Sequence, residues 1–179
     1  VQAPKVSEAE RASEMVPRYF EAISNGVDHK NRGFLTGLPR LDAVLNGLST
    51  KTVVSIAARP GMGKTTLMTG IVRQFVANYK KGAAIFSLEM DKDSLLDKLV
   101  SAEAQIPYGR LRLRNLSDSE LLRSSDTLAQ VHDWPLVIDD SPGLHIETLK
   151  RKAYKIAEGF REDGIDLKCI AVDYIGLLK

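Results

Sequence analysis

An eight-residue loop constrains this chain more than any other feature of its sequence. Ala58-Arg59-Pro60-Gly61-Met62-Gly63-Lys64-Thr65 directly follows the apolar run Thr52–Ala58 and opens an amphipathic stretch whose stripe is Leu67, Met68, Ile71, Val72, Phe75 and Val76. Strand, glycine-bearing turn and helix, in that order, are what a phosphate-binding loop requires. Gly61 and Gly63 allow the tight turn that aims backbone N–H groups at phosphate oxygens. The start of the following helix adds partial positive charge. In such a loop Lys64 reaches the β- and γ-phosphates and the Thr65 hydroxyl holds Mg²⁺, so Arg59, Pro60, Gly61, Met62, Gly63, Lys64, Thr65 and Thr66 are the candidate nucleotide-binding residues. Ala58 stands where the usual pattern has its first glycine.

The rest of the chain is patterned to support such a loop. The runs Thr52–Ala58, Ala83–Leu88, Pro135–Asp139 and Lys168–Asp173 are continuous rather than alternating, as in parallel strands covered on both faces. Helical stripes lie between them: Leu95, Leu96, Leu99 and Val100; Leu121, Leu122, Leu128 and Val131, behind a Ser117/Glu120 capping box; and Ile146, Leu149, Ala153, Ile156, Ala157 and Phe160. This alternation predicts an α/β domain, a parallel sheet with helices on both faces. Ahead of it, Ala12, Met15, Val16, Tyr19, Phe20 and Ile23 form one amphipathic helix, started or kinked by Pro17, and the polar stretch Asn25–Gly33 reads as a linker. The expected division is therefore 1–33, linker helix and linker, and 34–179, the α/β body. At 179 residues with 44% apolar and 27% charged residues, the chain is expected to be one ordinary globular domain with an appendage. Cys169 is the only cysteine, so no internal disulfide or cysteine-based zinc site forms. No membrane-length apolar run or signal-peptide pattern is present, and a reducing, cytoplasmic setting is expected. A net charge of +2 is too weak to imply nucleic acid on its own.

Magnesium also needs a carboxylate from a neighbouring strand end. Two strands offer one: Leu136-Val137-Ile138-Asp139-Asp140 and Cys169-Ile170-Ala171-Val172-Asp173, and the pattern leaves both open. A further carboxylate, Glu89, ends Ala84-Ile85-Phe86-Ser87-Leu88-Glu89. At the carboxyl edge of a parallel sheet, where such sheets place their ligands, it could take a proton from an attacking water. A surface glutamate at a turn fits the same position.

These residues together carry a resemblance. Thr36-Gly37-Leu38-Pro39-Arg40-Leu41-Asp42, leading to Asn46-Gly47-Leu48, looks like the opening of a RecA-like ATPase core. Ala57 to Thr65 resembles the phosphate loop of DnaB-type replicative helicases, which also lack the first glycine. Ile85-Phe86-Ser87-Leu88-Glu89-Met90, Ile138-Asp139-Asp140-Ser141-Pro142-Gly143-Leu144 and Val172-Asp173-Tyr174 are similar to later elements of that family, in its order, from about Thr36 to Leu178. The resemblance implies a RecA-like P-loop fold and an ATP-dependent DNA helicase using ATP and Mg²⁺. It implies Asp173 with Thr65 as the Mg²⁺ residues, Glu89 as the general base beside Lys64, and structural roles for Asp139 and Asp140. It also implies single-stranded DNA as a partner, a hexameric homo-oligomeric ring with the leading helix docked on the next subunit, and a primase or helicase loader; no membrane is expected. Gly176 departs from the family, which usually has glutamine there. The family's DNA-contacting loops and arginine finger are expected beyond the fourth strand, so the body is expected to be incomplete at its C-terminal side. A RecA-type recombinase ATPase and a nucleotide-gated interaction module are the alternative functions.

Other features read as plain surface or packing. Arg110, Arg112 and Arg114, and Lys150-Arg151-Lys152, lack interleaved aromatic residues and are expected to be solvated. His29, His132 and His145 have no ligand spacing, so no metal site is read from them. Trp134 before Pro135 is expected to pack at the start of a strand.

Overall fold

The computed structural model describes residues 10–24, 33–50, 52–174 and 176. Most of the linker stretch 25–33 lies outside them. The elements, in chain order, are α1 (Ala12–Ser24), α2 (Pro39–Leu45), α3 (Lys64–Arg73) continued by a π-helical turn (Gln74–Asn78), β1 (Gly82–Ser87), α4 (Lys92–Ala104), α5 (Tyr108–Arg112), α6 (Asp118–His132), β2 (Leu136–Asp139), α7 (Ile146–Glu162) and β3 (Leu167–Asp173).

The strands form a parallel sheet in the order β2-β1-β3. Residues of β1 are buried throughout, because successive side chains point to opposite faces and each face has its own helical cover. Ala83 and Ile85 pack with Val72, Phe75 and Val76 of the α3 rod and with Leu95 and Leu99 of α4. Ala84 and Phe86 pack on the other face with Leu149 and Ala153 of α7 and with Leu144. The chain leaves β1 on one side through α4–α6 to β2, then crosses back through α7 to β3. The predicted three-layer architecture is present. Trp134 is buried in the first of these clusters, as its position before the strand suggests.

One expected strand is absent among the described residues. Thr52–Ala58 forms no ladder and is exposed throughout, Val53 at 91%. It stands off β3 across a cavity of about 810 Å³ that Phe34, Met68 and Phe75 also line. Its β-branched residues supply strand propensity, but a strand exists only through partners for its N–H and C=O groups, and those partners are not engaged here.

A second difference concerns α6. Its capping box is formed, with Ser117 accepting from the Glu120 amide at 3.4 Å and Glu120 accepting from the Ser117 amide at 2.8 Å. The buried face, however, is Glu120, Ser124 and Thr127, while Leu121, Leu122 and Leu128 are 60%, 69% and 47% exposed. On that buried face the Glu120 carboxylate is tied to Ser117 and to the Arg110 guanidinium of α5 at 2.8 Å. Ile146, at the first position of α7, is likewise exposed at 46%.

The leading helix α1 runs through Pro17 rather than starting at it, and Met15, Val16, Tyr19, Phe20 and Ile23 are all exposed. The segment before α2 is organised by Asp42, whose carboxylate accepts from the Thr36 amide and hydroxyl at 2.7 and 2.8 Å and from the Gly37 amide at 3.2 Å. Next to it, Phe34 sits against Phe75 and Tyr79 at ring-centroid distances of 4.9 and 5.0 Å, and the Leu35 amide donates to the Tyr79 hydroxyl at 2.8 Å.

Two measurements check this packing. In equilibrium unfolding, Ile85→Ala should cost about 2–5 kcal/mol, whereas Leu122→Ser should stay within about 0.5 kcal/mol of the parent. A large loss from Leu122→Ser would mean that α6 buries its leucines after all. Burial pushes the Cys169 thiol up to about 11, so at pH 8 its alkylation should be on the order of a hundred times slower than that of a free cysteine. Denaturant should abolish the protection; a rate near that of free cysteine in the folded protein would contradict it.

Candidate functional site

The loop 58–65 reaches α3 with both of its glycines in the left-handed region, Gly61 at φ 76° and Gly63 at φ 88°. A Cβ on Gly61 would meet no atom within 4 Å, so glycine is required there by conformation rather than by space. Gly63 caps α3 and Lys64 is its first residue. The α3 N-terminus therefore presents free amides beside an ammonium group. The Lys64 ammonium folds back toward the Ala58 carbonyl at 3.4 Å, spanning the loop. Arg59, Pro60, Gly61, Met62 and Gly63 are all exposed, and the Met62 amide donates to the Arg59 carbonyl at 3.3 Å.

One residue further in, the Thr65 hydroxyl donates to the Asp173 carboxylate at 2.6 Å. These residues are 108 positions apart in sequence. Asp173 ends β3 and is 5% exposed. Parallel pairing sets Ser87 opposite Asp173, and the Leu88 amide extends the ladder by donating to the Asp173 carbonyl at 2.7 Å. Glu89 follows directly. Its side chain is exposed, and its carboxylate has no hydrogen-bond or ion-pair partner among the described residues. Lys64, Thr65, Asp173 and Glu89 thus share the carboxyl edge of the sheet, at the point where the strand order reverses.

The donor set suits Mg²⁺. A hydroxyl and a carboxylate oxygen already lie side by side, both hard ligands, and Mg²⁺ takes one or two such protein groups with the remainder from phosphate and water. Among the described residues no group of three or more His, Cys, Asp or Glu could hold a metal alone. His132 lies beside Asp133 and His145 caps α7, while His29 falls outside the described residues.

The second strand end is occupied differently. Lys152 of α7 donates to Asp139 at 2.5 Å and to the Ser141 hydroxyl at 2.7 Å, and the Ser141 amide donates back to Asp139 at 2.9 Å. Burial raises the Asp139 carboxyl, but the Lys152 ammonium and both Ser141 donors outweigh it and hold the group below its ordinary value. Asp140 accepts from the Lys92 amide at 3.1 Å.

Several contacts have no signal in the sequence. Lys98 of α4 donates to the Thr66 hydroxyl at 3.5 Å and lies over the Tyr108 ring at 4.6 Å, which brings a further cation to the loop. Lys98 is one of two lysines on α4, and only the packing of α4 against α3 reveals it. Lys152, expected in solvent, is half-buried against Asp139. Of the other basic residues, Arg110 pairs with Glu120 and Arg114 with Asp97 at 2.9 Å. Lys150 pairs with Glu147, and Arg112 and Arg151 face solvent.

Comparison with known proteins identifies relatives of the chain. The sequence matches the DnaB-like helicase C terminal domain family over residues 33–179. It is 32% identical over 158 residues to the replicative DNA helicase DnaB of Nostoc sp., covering 86% of this chain and 18% of that protein. It is 30% identical over 168 residues to the replicative DNA helicase DnaB of Leifsonia xyli, covering 88% of this chain and 35% of that protein. The chain thus spans about a third or less of the length of these relatives. Among solved structures, a DnaB-like replicative helicase studied for its interactions with primase superposes with a TM-score of 0.80 at 20% identity, over 98% of this chain and 41% of that one. A solved ATPase domain superposes with a TM-score of 0.78 at 20% identity, over 96% and 60%. At these identities the structural likeness establishes the RecA-like fold. With its phosphate loop, its strand order and a sequence match that runs through the whole α/β body, the chain belongs to the DnaB-like helicase C-terminal domain family.

Proposed function

We propose that this chain is the ATP-hydrolysing motor domain of a replicative DNA helicase, coupling hydrolysis to translocation on single-stranded DNA and duplex unwinding. The observation that carries the proposal is the 2.6 Å contact between Thr65 and Asp173, with the Glu89 turn bonded to the same strand end. Phosphoryl transfer asks a protein mainly for positioning and charge. Lys64 and the loop amides hold the β- and γ-phosphates of ATP, and Thr65 and Asp173 hold Mg²⁺. When bound, Mg²⁺ neutralises charge on the phosphate oxygens. Glu89 accepts a proton from the water that attacks the γ-phosphorus, and ADP and phosphate are released.

The same reading extends to the rest of the machine. The exposed stripe Met15, Val16, Tyr19, Phe20 and Ile23 of α1 suits a linker helix that docks on the next subunit of a hexameric ring, residues 1–33 being linker helix and linker. Residues 34–179 form the ATPase body. Single-stranded DNA is the track, and a primase or helicase loader is the accessory partner. A cytoplasmic site of action belongs to this reading; among the described residues no helix is long and apolar enough to cross a membrane.

Lys64→Ala should weaken nucleotide binding by about 1.5–3 kcal/mol, the size of a charge-assisted hydrogen bond. Unchanged affinity in a nucleotide titration would count against the loop assignment. The decisive test is ATP turnover by the intact protein with and without single-stranded DNA, comparing the parent with Glu89→Gln. Stimulated turnover that drops by about 10²–10⁴ in the variant while ATP binding survives is the expected result. Negligible turnover by the parent despite binding would identify a nucleotide-gated interaction module instead.

A further inference from the structure

The reading of Glu89 as base leaves open what holds it in place, since the carboxylate itself has no partner among the described residues. The turn that carries it is fastened at three points. On the β3 side, the Leu88 amide donates to the Asp173 carbonyl at 2.7 Å. Across the turn, the Ser87 hydroxyl donates to the Met90 carbonyl at 2.6 Å and accepts from the Met90 amide at 3.1 Å, closing a ring around Leu88 and Glu89. Ser87 is 1% exposed, so its hydroxyl lies away from water that would compete for these bonds. On the β2 side, the Asp140 carboxylate accepts from the Lys92 amide, the first residue of α4.

Each fastening has a different origin. The first belongs to the sheet, and the second is local. The third is the only one of these bonds to reach the turn from β2, and it ties the start of α4 to the strand that Asp139 and Lys152 brace from behind. Asp91 caps the same helix internally, by accepting from Ser94 at 2.8 Å, so α4 does not need Asp140 in order to form. What Asp140 adds is the lateral position of the helix start, three residues after Glu89.

We infer that Asp140 is a positioning residue for Glu89: it sets the turn 88–92 relative to the phosphate loop by anchoring the Lys92 amide to the carboxyl end of β2. The inference rests on Glu89 being the base. It predicts an effect on turnover without an effect on ground-state binding, because Asp140 touches neither the phosphate loop nor Asp173 in the described contacts.

The experiment uses the intact protein and measures DNA-stimulated ATP turnover, nucleotide affinity and thermal unfolding for Asp140→Ala, Asp140→Asn, Glu89→Gln and the double variant Asp140→Ala/Glu89→Gln. Asp140→Ala should lower kcat by about ten- to a hundredfold, as expected for a displaced catalytic group, with nucleotide affinity and unfolding midpoint close to the parent. Asp140→Asn keeps a carbonyl oxygen for the Lys92 amide and should recover most of the loss. The double variant should be no slower than Glu89→Gln alone, since a group that acts only through Glu89 has nothing left to place. An unaffected kcat in Asp140→Ala, no recovery with asparagine, or additive losses in the double variant would each overturn the positioning role. If Glu89→Gln itself turns over normally, the base assignment fails first, and that outcome is read independently of the Asp140 variants.

Discussion

Parallel pairing of β1 with β3 is the constraint on which the rest depends. It places Ser87 opposite Asp173, so a glutamate two residues past the end of one strand comes to lie beside an aspartate at the end of the other. Slipping the pairing by one residue would invert every side chain of β3 and turn Asp173 away from Thr65. Such a slip is opposed by the packing of β3 itself: Cys169 and Ala171 lie against the α3–α4 cluster and Val172 against the α7 cluster, and a slip would exchange them. The hydrophobic core therefore holds the strand ends that carry Asp173 and precede Glu89 side by side, with Asp173 in contact with Thr65.

Much of this is legible from the residues. Continuous apolar runs predict three of the strands to within about one residue, and the helical stripes of α3, α4 and α7 lie largely on the faces expected. The phosphate loop is legible because its requirements are local: two left-handed glycines, a helix start and a lysine adjacent in sequence. The relation of Thr65 to Asp173 is not local, and the pattern alone leaves the β2 end, with Asp139 and Asp140, as an equal alternative. What separates them is strand order, which places β3, not β2, beside the loop-bearing helix, and strand order is not written in any short stretch of residues.

The two elements that depart from expectation do so for different reasons. In Thr52–Ala58 the propensity for strand is present but the ladder is not, and strand propensity is largely a statement about neighbours. In α6 the leucines are expected inward because apolar residues usually are. The side that is buried instead carries Glu120, whose carboxylate serves the capping box and an arginine at once, so its charge is partnered where it is covered.

The aromatic contact between Phe34 and the far end of the α3 rod has a mechanical consequence. An α-helix is stiff along its axis, and the ten α-helical residues of α3 span roughly 15 Å. One end carries Lys64 and Thr65; beyond the other, the π-helical turn ends against Tyr79, clasped by Phe34 and the Leu35 amide. Pushing or pulling the chain ahead of Phe34 is thus a load applied to the butt of a rod whose tip is the phosphate loop. The loop 58–65 and the contact made by Phe34 are, in this sense, opposite ends of a single lever.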